Sequence, residues 1–142
     1  MTAWTLARLM LTVTAAYGGI GSYIADWNRT HIHNPDWPPH AKFHNAQSMS
    51  LGAALMIITV ASMWRRPSLS KGDLRISAAL ASTYCATQIS ALLYPGTALI
   101  DPPTTKKGPQ AVIAAVLVAA NIAAYAIGAR ALTDRSKSRR SR

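Results

Sequence analysis

The sequence predicts an all-α integral membrane protein, an antiparallel four-helix transmembrane bundle. Half of the 142 residues are hydrophobic, and the charged residues lie in short clusters between long uncharged stretches. Ionisable groups are costly in hydrocarbon, so in membrane proteins they gather in the loops. The length of the chain corresponds to one domain.

Four segments have the roughly twenty mostly apolar residues that a helix needs to cross a bilayer. These predicted spans cover about residues 3–24, 46–64, 76–94 and 111–129. Arg8 is the only full charge within them, and its long side chain can extend to the interface from the start of the first span. Residues 1–132 therefore form a four-span membrane domain, and residues 133–142 form a basic cytoplasmic tail.

The distribution of Lys and Arg predicts the orientation of the chain. The loop between the second and third spans is basic, and the tail lies on the same side because an even number of spans places both termini together. The two other loops contain fewer basic residues. We therefore expect both termini in the cytoplasm and the first loop outside it. The basic tail favours a bacterial inner membrane.

The tail contributes to a formal net charge of +10 and is rich in Ser, Arg and Lys. A basic segment that directly follows an apolar span is typical of an orientation signal that also contacts anionic lipid headgroups. We therefore expect the lipid bilayer, and not nucleic acid, as the partner of this tail. Its biased composition predicts a disordered conformation.

All the histidines of the chain lie in the first loop, at His31, His33, His40 and His44. Pro38 and Pro39 predict the start of the second helix there, because proline fits the first helical turn. In that helix His40 and His44 are four residues apart and lie on one face, and Gln47 continues the row.

Three interpretations of this loop stay open. In the first, His40, His44 and His31 bind a divalent transition metal. In the second, a histidine and Asp26 or Asp36 form a proton-transferring pair that acts on a lipid-soluble substrate. In the third, the histidines and tryptophans are structural residues at the membrane interface.

Polar side chains inside the spans need partners, because hydrocarbon cannot satisfy them. Tyr84 and Gln88 share one face of the third predicted helix, Asn121 lies in the fourth and Tyr17 lies late in the first. They line a pocket under the histidine loop in one interpretation, and form hydrogen bonds between helices in the other.

The loop resembles that of a family of small four-span membrane proteins from bacteria and fungi. The residues that carry the resemblance are Asp26-Trp27-Asn28, Thr30-His31, Asn34-Pro35, the run from Trp37 to Asn45, and Gln47. The resemblance implies a four-span fold and a site that includes His31, His40 and His44. It implies no reaction, because the family has no assigned function. Some members carry an acetyltransferase label, which no acyl-donor motif in this chain supports.

We therefore expect a site for a small lipophilic ligand or substrate at the outer rim of the bundle. The expected catalytic residues are His31, His40, His44 and Asp26. The expected ligand-binding residues are Asn28, Asn45, Gln47, Gln88, Tyr84 and Asn121. The alternative is a non-catalytic membrane subunit whose loop contacts a partner, and a homo-oligomer is also left open.

Overall fold

A computed structural model describes residues 1–65, 69–100 and 108–140 as helices and connecting loops, with no β-strand in these ranges. The α-helices are α1 (Ala3–Ala16), α2 (Ser22–Asp26), α3 (Pro39–Trp64), α4 (Lys71–Ser90) and α5 (Gln110–Arg140). A π-helical turn, Tyr17–Gly21, joins α1 to α2, and a 3-10 turn, Ala91–Leu93, follows α4. The prediction of an all-helical chain is confirmed for these residues.

Three helices are long and apolar enough to cross a membrane, judged by their length and composition. They are α3, α4 with its 3-10 turn, and α5. The first predicted span, residues 3–24, is helical from Ala3 to Asp26. The π-helical turn divides this run, however, and leaves α1 with only 14 residues.

Two helix starts follow from local capping chemistry. Pro38 has an extended backbone and Pro39 is the first residue of α3, as the sequence predicted. At the start of α4 the Ser70 Oγ accepts a hydrogen bond from the Asp73 N–H at 3.1 Å, and the Asp73 carboxylate accepts one from the Ser70 N–H at 2.9 Å. Both helices begin several residues before the predicted spans, because those spans included only the apolar core.

The expectation of a disordered tail is wrong for residues 133–140, because α5 continues through them. Within this part the Thr133 hydroxyl donates to the Ala129 carbonyl at 2.9 Å, and the Ser136 hydroxyl donates to the Thr133 carbonyl at 2.7 Å. No glycine or proline interrupts the segment, and Arg and Lys are good helix formers. Residues 141–142 of the predicted tail lie outside the described residues.

The four longer helices are arranged in a ring, because α1 and α4 each pack against both α3 and α5. A cluster of buried apolar side chains fills part of the interior: Trp4, Ala7, Leu11, Met63, Leu69, Leu74, Ala81 and Ala124. Arg8, which was expected to extend to the membrane interface, is only 9 % exposed. Its guanidinium lies 4.8 Å from the ring centre of Trp4 and 5.4 Å from that of Trp64, where cation–π attraction holds it.

A close crossing joins the π-helical turn to α3 and α4. A Cβ atom built at Gly52 would lie 2.2 Å from the carbonyl oxygen of Gly18, and one built at Gly18 would lie 2.9 Å from the Cβ of Tyr84. A Cβ atom at Gly19 would lie 2.7 Å from the Cβ of Met56. The absence of side chains at these glycines therefore allows the backbones to approach closely, as at contacts between membrane helices.

We expect Gly52→Ala to destabilise the protein by about 1–3 kcal/mol, because the new methyl group would overlap a backbone carbonyl that cannot rotate away. Thermal unfolding in detergent, followed by circular dichroism, measures the change. Gly21→Ala is the matched control, since its Cβ would lie 3.7 Å from the nearest atom of Tyr17, an ordinary contact. Equal melting temperatures for the two variants would contradict the tight crossing.

Candidate functional site

Two asparagine side chains shape the loop between α2 and α3. The Asn28 Oδ1 accepts hydrogen bonds from the N–H of Thr30 at 2.9 Å and from its hydroxyl at 2.7 Å, while the Asn28 Nδ2 donates to the Ala25 carbonyl. The Asn34 Oδ1 accepts a hydrogen bond from the Asp36 N–H at 2.9 Å. Side-chain turns of this kind reverse the chain locally, so the loop turns back toward the end of α2.

The turned loop places His31 beside Asp26, the last residue of α2. The His31 Nε2 lies 3.8 Å from the Asp26 Oδ1. On the other side of the ring, the His31 Nδ1 lies 3.2 Å from the Asn28 Oδ1 and 2.9 Å from the Thr30 Oγ1. Because the Asn28 oxygen can only accept, the His31 Nδ1 carries a proton and donates. In the neutral ring, the Nε2 lone pair therefore faces the Asp26 carboxylate.

Asp26 also links α2 to α3. Its Oδ2 accepts a hydrogen bond from the Asn45 Nδ2 at 2.9 Å. The Asp26 side chain is 20 % exposed and that of His31 is 37 % exposed, so the carboxylate is partly enclosed. The Asn45 Oδ1 is buried and accepts no hydrogen bond within the described ranges. The structure thus brings together four of the predicted residues: Asp26, Asn28, His31 and Asn45.

A cavity of about 380 Å³ adjoins the Asp26–His31 pair. Its polar lining side chains are Tyr17, Ser22, Asp26, His31, Tyr84, Gln88, Thr97 and Gln110. The Tyr17 hydroxyl donates to the Gln88 Oε1 at 3.4 Å. Since Tyr17 and Gly21 belong to the π-helical turn, this turn forms part of the cavity wall.

An open groove of about 700 Å³ lies next to the cavity, and both are lined by Tyr84, Gln88 and Ala91. The other residues that line the groove are His44, Gln47, Ser48, Ser50, Leu51 and Thr87. Its surface is mostly apolar. Tyr84 and Gln88, which were predicted to bind a ligand, therefore lie between a cavity with polar lining residues and a mostly apolar groove.

His40 and His44 form a separate pair on the first turns of α3. Their Nε2 atoms are 3.1 Å apart, and the His44 Nδ1 lies 3.2 Å from the Gln47 Oε1, so the predicted row of side chains is present. In residues 1–65, 69–100 and 108–140, no three His, Cys, Asp or Glu side chains are grouped so that they could hold a metal ion. The predicted metal ligands are divided, with His31 beside Asp26 and the other two on α3.

Asn121, which was predicted to bind a ligand, lies in the contact between α4 and α5. It is 1 % exposed, its Nδ2 donates to the Ser82 Oγ at 2.9 Å, and it lines neither the cavity nor the groove. Gln110 was not predicted but lines the cavity. The only signal for it in the sequence is its place directly after Pro109, at the start of α5.

The residues described here define a helical protein with three helices long and apolar enough to span a membrane. A family model described as a family of unknown function (DUF6640) matches residues 10–140, and the chain belongs to that family. This agrees with the resemblance to a family without an assigned function. No curated protein and no solved structure matches the chain.

We expect the Asp26 and Asn45 side chains to be coupled by about 1.5 kcal/mol or more, because hydrogen bonds to charged groups are among the stronger ones. A double-mutant cycle of Asp26→Ala and Asn45→Ala, measured by unfolding in mixed detergent micelles, gives the coupling energy. The control cycle pairs Asn45→Ala with Asp36→Ala, which removes an exposed carboxylate from the same loop. Additive effects of Asp26→Ala and Asn45→Ala would argue against the hydrogen bond.

Proposed function

We propose that the protein is an integral membrane protein of four antiparallel spans that binds a small lipophilic molecule between its helices. The observation that carries this proposal is the wall shared by the cavity and the groove, where Tyr84 and Gln88 border both. Ligand sites typically combine a largely apolar lining with a few polar groups that fix orientation. A molecule with a polar end and an apolar body fits this arrangement, with its polar end in the cavity and its body in the groove.

The outer surface of the helices supports the membrane assignment. Large apolar side chains such as Val13, Ile57, Ile76 and Val116 have exposed fractions between 57 and 63 %. Extensive apolar surface is unusual on soluble monomers, whereas a bilayer would cover it. With α1, the π-helical turn and α2 crossing as one continuous helix, the ring of helices accounts for four spans.

In the proposed orientation both termini are cytoplasmic and the histidine loop is extracytoplasmic. Single cysteines introduced into a Cys85→Ala background test it with a membrane-impermeant maleimide. We expect Arg29→Cys to be labelled in intact cells and Ser136→Cys to be labelled only after permeabilisation. Both positions are exposed, so a difference in labelling reports sidedness. The reverse pattern would overturn the orientation.

Asp26 and His31 provide the acid–base chemistry of the proposed site. At 3.8 Å the His31 Nε2 and the Asp26 Oδ1 are too far apart for a good hydrogen bond. A hydroxyl or amine of a ligand could contact both atoms, and its proton could pass to the His31 Nε2. The His40–His44 pair contributes to the proposed site only through His44, which borders the groove.

We expect His31→Ala to reduce the occupancy of the site about tenfold or more, because one hydrogen bond to a polar ligand group is lost. Wild-type and variant proteins are purified in mild detergent, and mass spectrometry of the denatured samples identifies the small molecules that were retained. His33→Ala is the matched control, since the His33 ring packs edge-on against Trp27 and lines neither cavity nor groove. The same retained molecules at the same levels in wild type and His31→Ala would contradict the proposal.

The second candidate function is a non-catalytic membrane subunit that contacts a partner through the histidine loop. Trp27 and Phe43 favour it, because they are 58 % and 60 % exposed and aromatic residues are enriched in interfaces. Complementation of a deletion strain separates the two candidates. Loss of function in Phe43→Ala with full function in His31→Ala supports the partner surface, and the opposite result supports the ligand site.

A further inference from the structure

The polar part of the cavity wall presents two side chains that can accept hydrogen bonds from a ligand, Asp26 and His31. The Asp26 Oδ2 already accepts from the Asn45 Nδ2, which leaves the Asp26 Oδ1 for a ligand. The Asp26 carboxylate can only accept, and the His31 Nε2 accepts in the neutral ring because the Nδ1 donates to Asn28. Gln110 also lines the cavity, but its Nε2 donates to the Leu99 carbonyl at 3.3 Å and its buried Oε1 lies beside Gly108, so neither atom serves the ligand. Partly enclosed acceptors without donors are unfavourable, so a ligand that donates is favoured.

The charge of the cavity leads to the same conclusion. Of the described residues that line it, Asp26 carries a negative charge and none is Lys or Arg. In the described part of the chain, His31 is the one basic side chain within 4 Å of the Asp26 carboxylate, and its neutral ring supplies no positive charge. A partly enclosed carboxylate is stabilised by a positive charge at short distance, and more strongly than it would be in water. A ligand with a cationic end would supply that charge.

We propose that the ligand of this site is a lipophilic primary amine, bound as its ammonium ion. An ammonium group has N–H donors for the acceptors on Asp26 and His31, and its positive charge complements the Asp26 carboxylate. The alkyl chain lies in the mostly apolar groove along Leu51 and passes the shared wall at Tyr84. This inference rests on the proposed function and names the chemical class of its ligand.

Two related ligand classes fit the site less well. A neutral alcohol offers a single donor and no charge, so it leaves acceptors unsatisfied and Asp26 uncompensated. Phosphatidylethanolamine carries the same ammonium group, but its phosphate adds a negative charge near Asp26, and like charges at short distance repel. A free amine avoids this repulsion, and the cavity volume of about 380 Å³ is within the usual range for small-molecule sites.

Decylamine, decanol and decanoate test the proposal, because they share one alkyl chain and differ in the end group. Binding to the purified protein in lipid nanodiscs is followed by tryptophan fluorescence, with empty nanodiscs as the reference. Trp37 serves as a reporter, since its ring centre lies 5.4 Å from that of His31. We expect saturable binding of decylamine that is about tenfold or more tighter than that of decanol. Decanoate is expected to show no saturable binding.

One variant and its matched control locate the ammonium group. Asp26→Asn is expected to weaken decylamine binding about tenfold or more and to leave decanol binding almost unchanged, because only the charged interaction is lost. Asp36→Asn is the matched control, since it makes the same charge change at a nearby residue that lines neither the cavity nor the groove. If Asp26→Asn does not fold, the comparison of decylamine with decanol on the wild-type protein tests the proposal by itself.

The possible results separate the amine proposal from the proposed function. Equal affinity for decanol and decylamine, or unchanged decylamine affinity in folded Asp26→Asn, overturns the amine assignment and leaves the lipophilic site in place. No saturable binding of any probe overturns both. Dihexanoyl phosphatidylethanolamine is tested beside the corresponding phosphatidylcholine, which lacks N–H donors. Tighter binding of the ethanolamine lipid than of decylamine would overturn the free amine as the ligand.

Discussion

The carbonyl oxygen of Gly18 lies so close to Gly52 that no Cβ atom fits between the π-helical turn and α3. The residues from Ala3 to Asp26, which comprise α1, the π-helical turn and α2, form the first helical run. The contact at Gly18 fixes how near this run lies to α3. Because of it, Asp26 at the end of that run reaches Asn45 on α3, and the hydrogen bond between them closes one side of the cavity. Tyr84, on α4, packs against Gly18 as well. The cavity wall therefore depends on backbone contact at a single crossing.

The π-helical turn gives the first helical run two different faces. One additional residue in a helix rotates everything that follows by about 100° relative to an uninterrupted helix. Before the turn, α1 directs Trp4 and Leu11 into the buried apolar cluster. After the turn, Ser22 and Asp26 line the cavity. The turn thus allows one helical run to contribute to the apolar core at one end and to the polar site at the other.

The features that the sequence predicted are those that local spacing determines. Pro39 starts α3, and His40 and His44 lie on one face because four residues make about one helical turn. The π-helical turn was not predictable, since five residues are too few to distinguish it from an α-helix by periodicity. His31 lies apart from His40 and His44 because side-chain turns bend the loop between α2 and α3. Gln110 lines the cavity together with Leu99, which comes before α5 in the sequence. Neither placement follows from local spacing, because both depend on tertiary contacts.

Polar side chains within predicted spans had two interpretations, hydrogen bonds between helices or a ligand site, and the structure contains both arrangements. The Ser62 and Ser77 hydroxyl oxygens are 2.6 Å apart and form a hydrogen bond between α3 and α4. Such bonds between polar side chains stabilise contacts between membrane helices. Tyr17 and Gln88 instead line the cavity, although the Tyr17 hydroxyl also donates to the Gln88 Oε1 at 3.4 Å. A buried acceptor without a donor is not sufficient by itself to mark a site, because the Asn121 Oδ1 is such an atom and lies away from the cavity. The Asp26 end of the protein is distinguished by the combination of a partly enclosed carboxylate, a neighbouring histidine and an adjoining cavity. Proteins commonly leave polar groups without partners where they bind ligands.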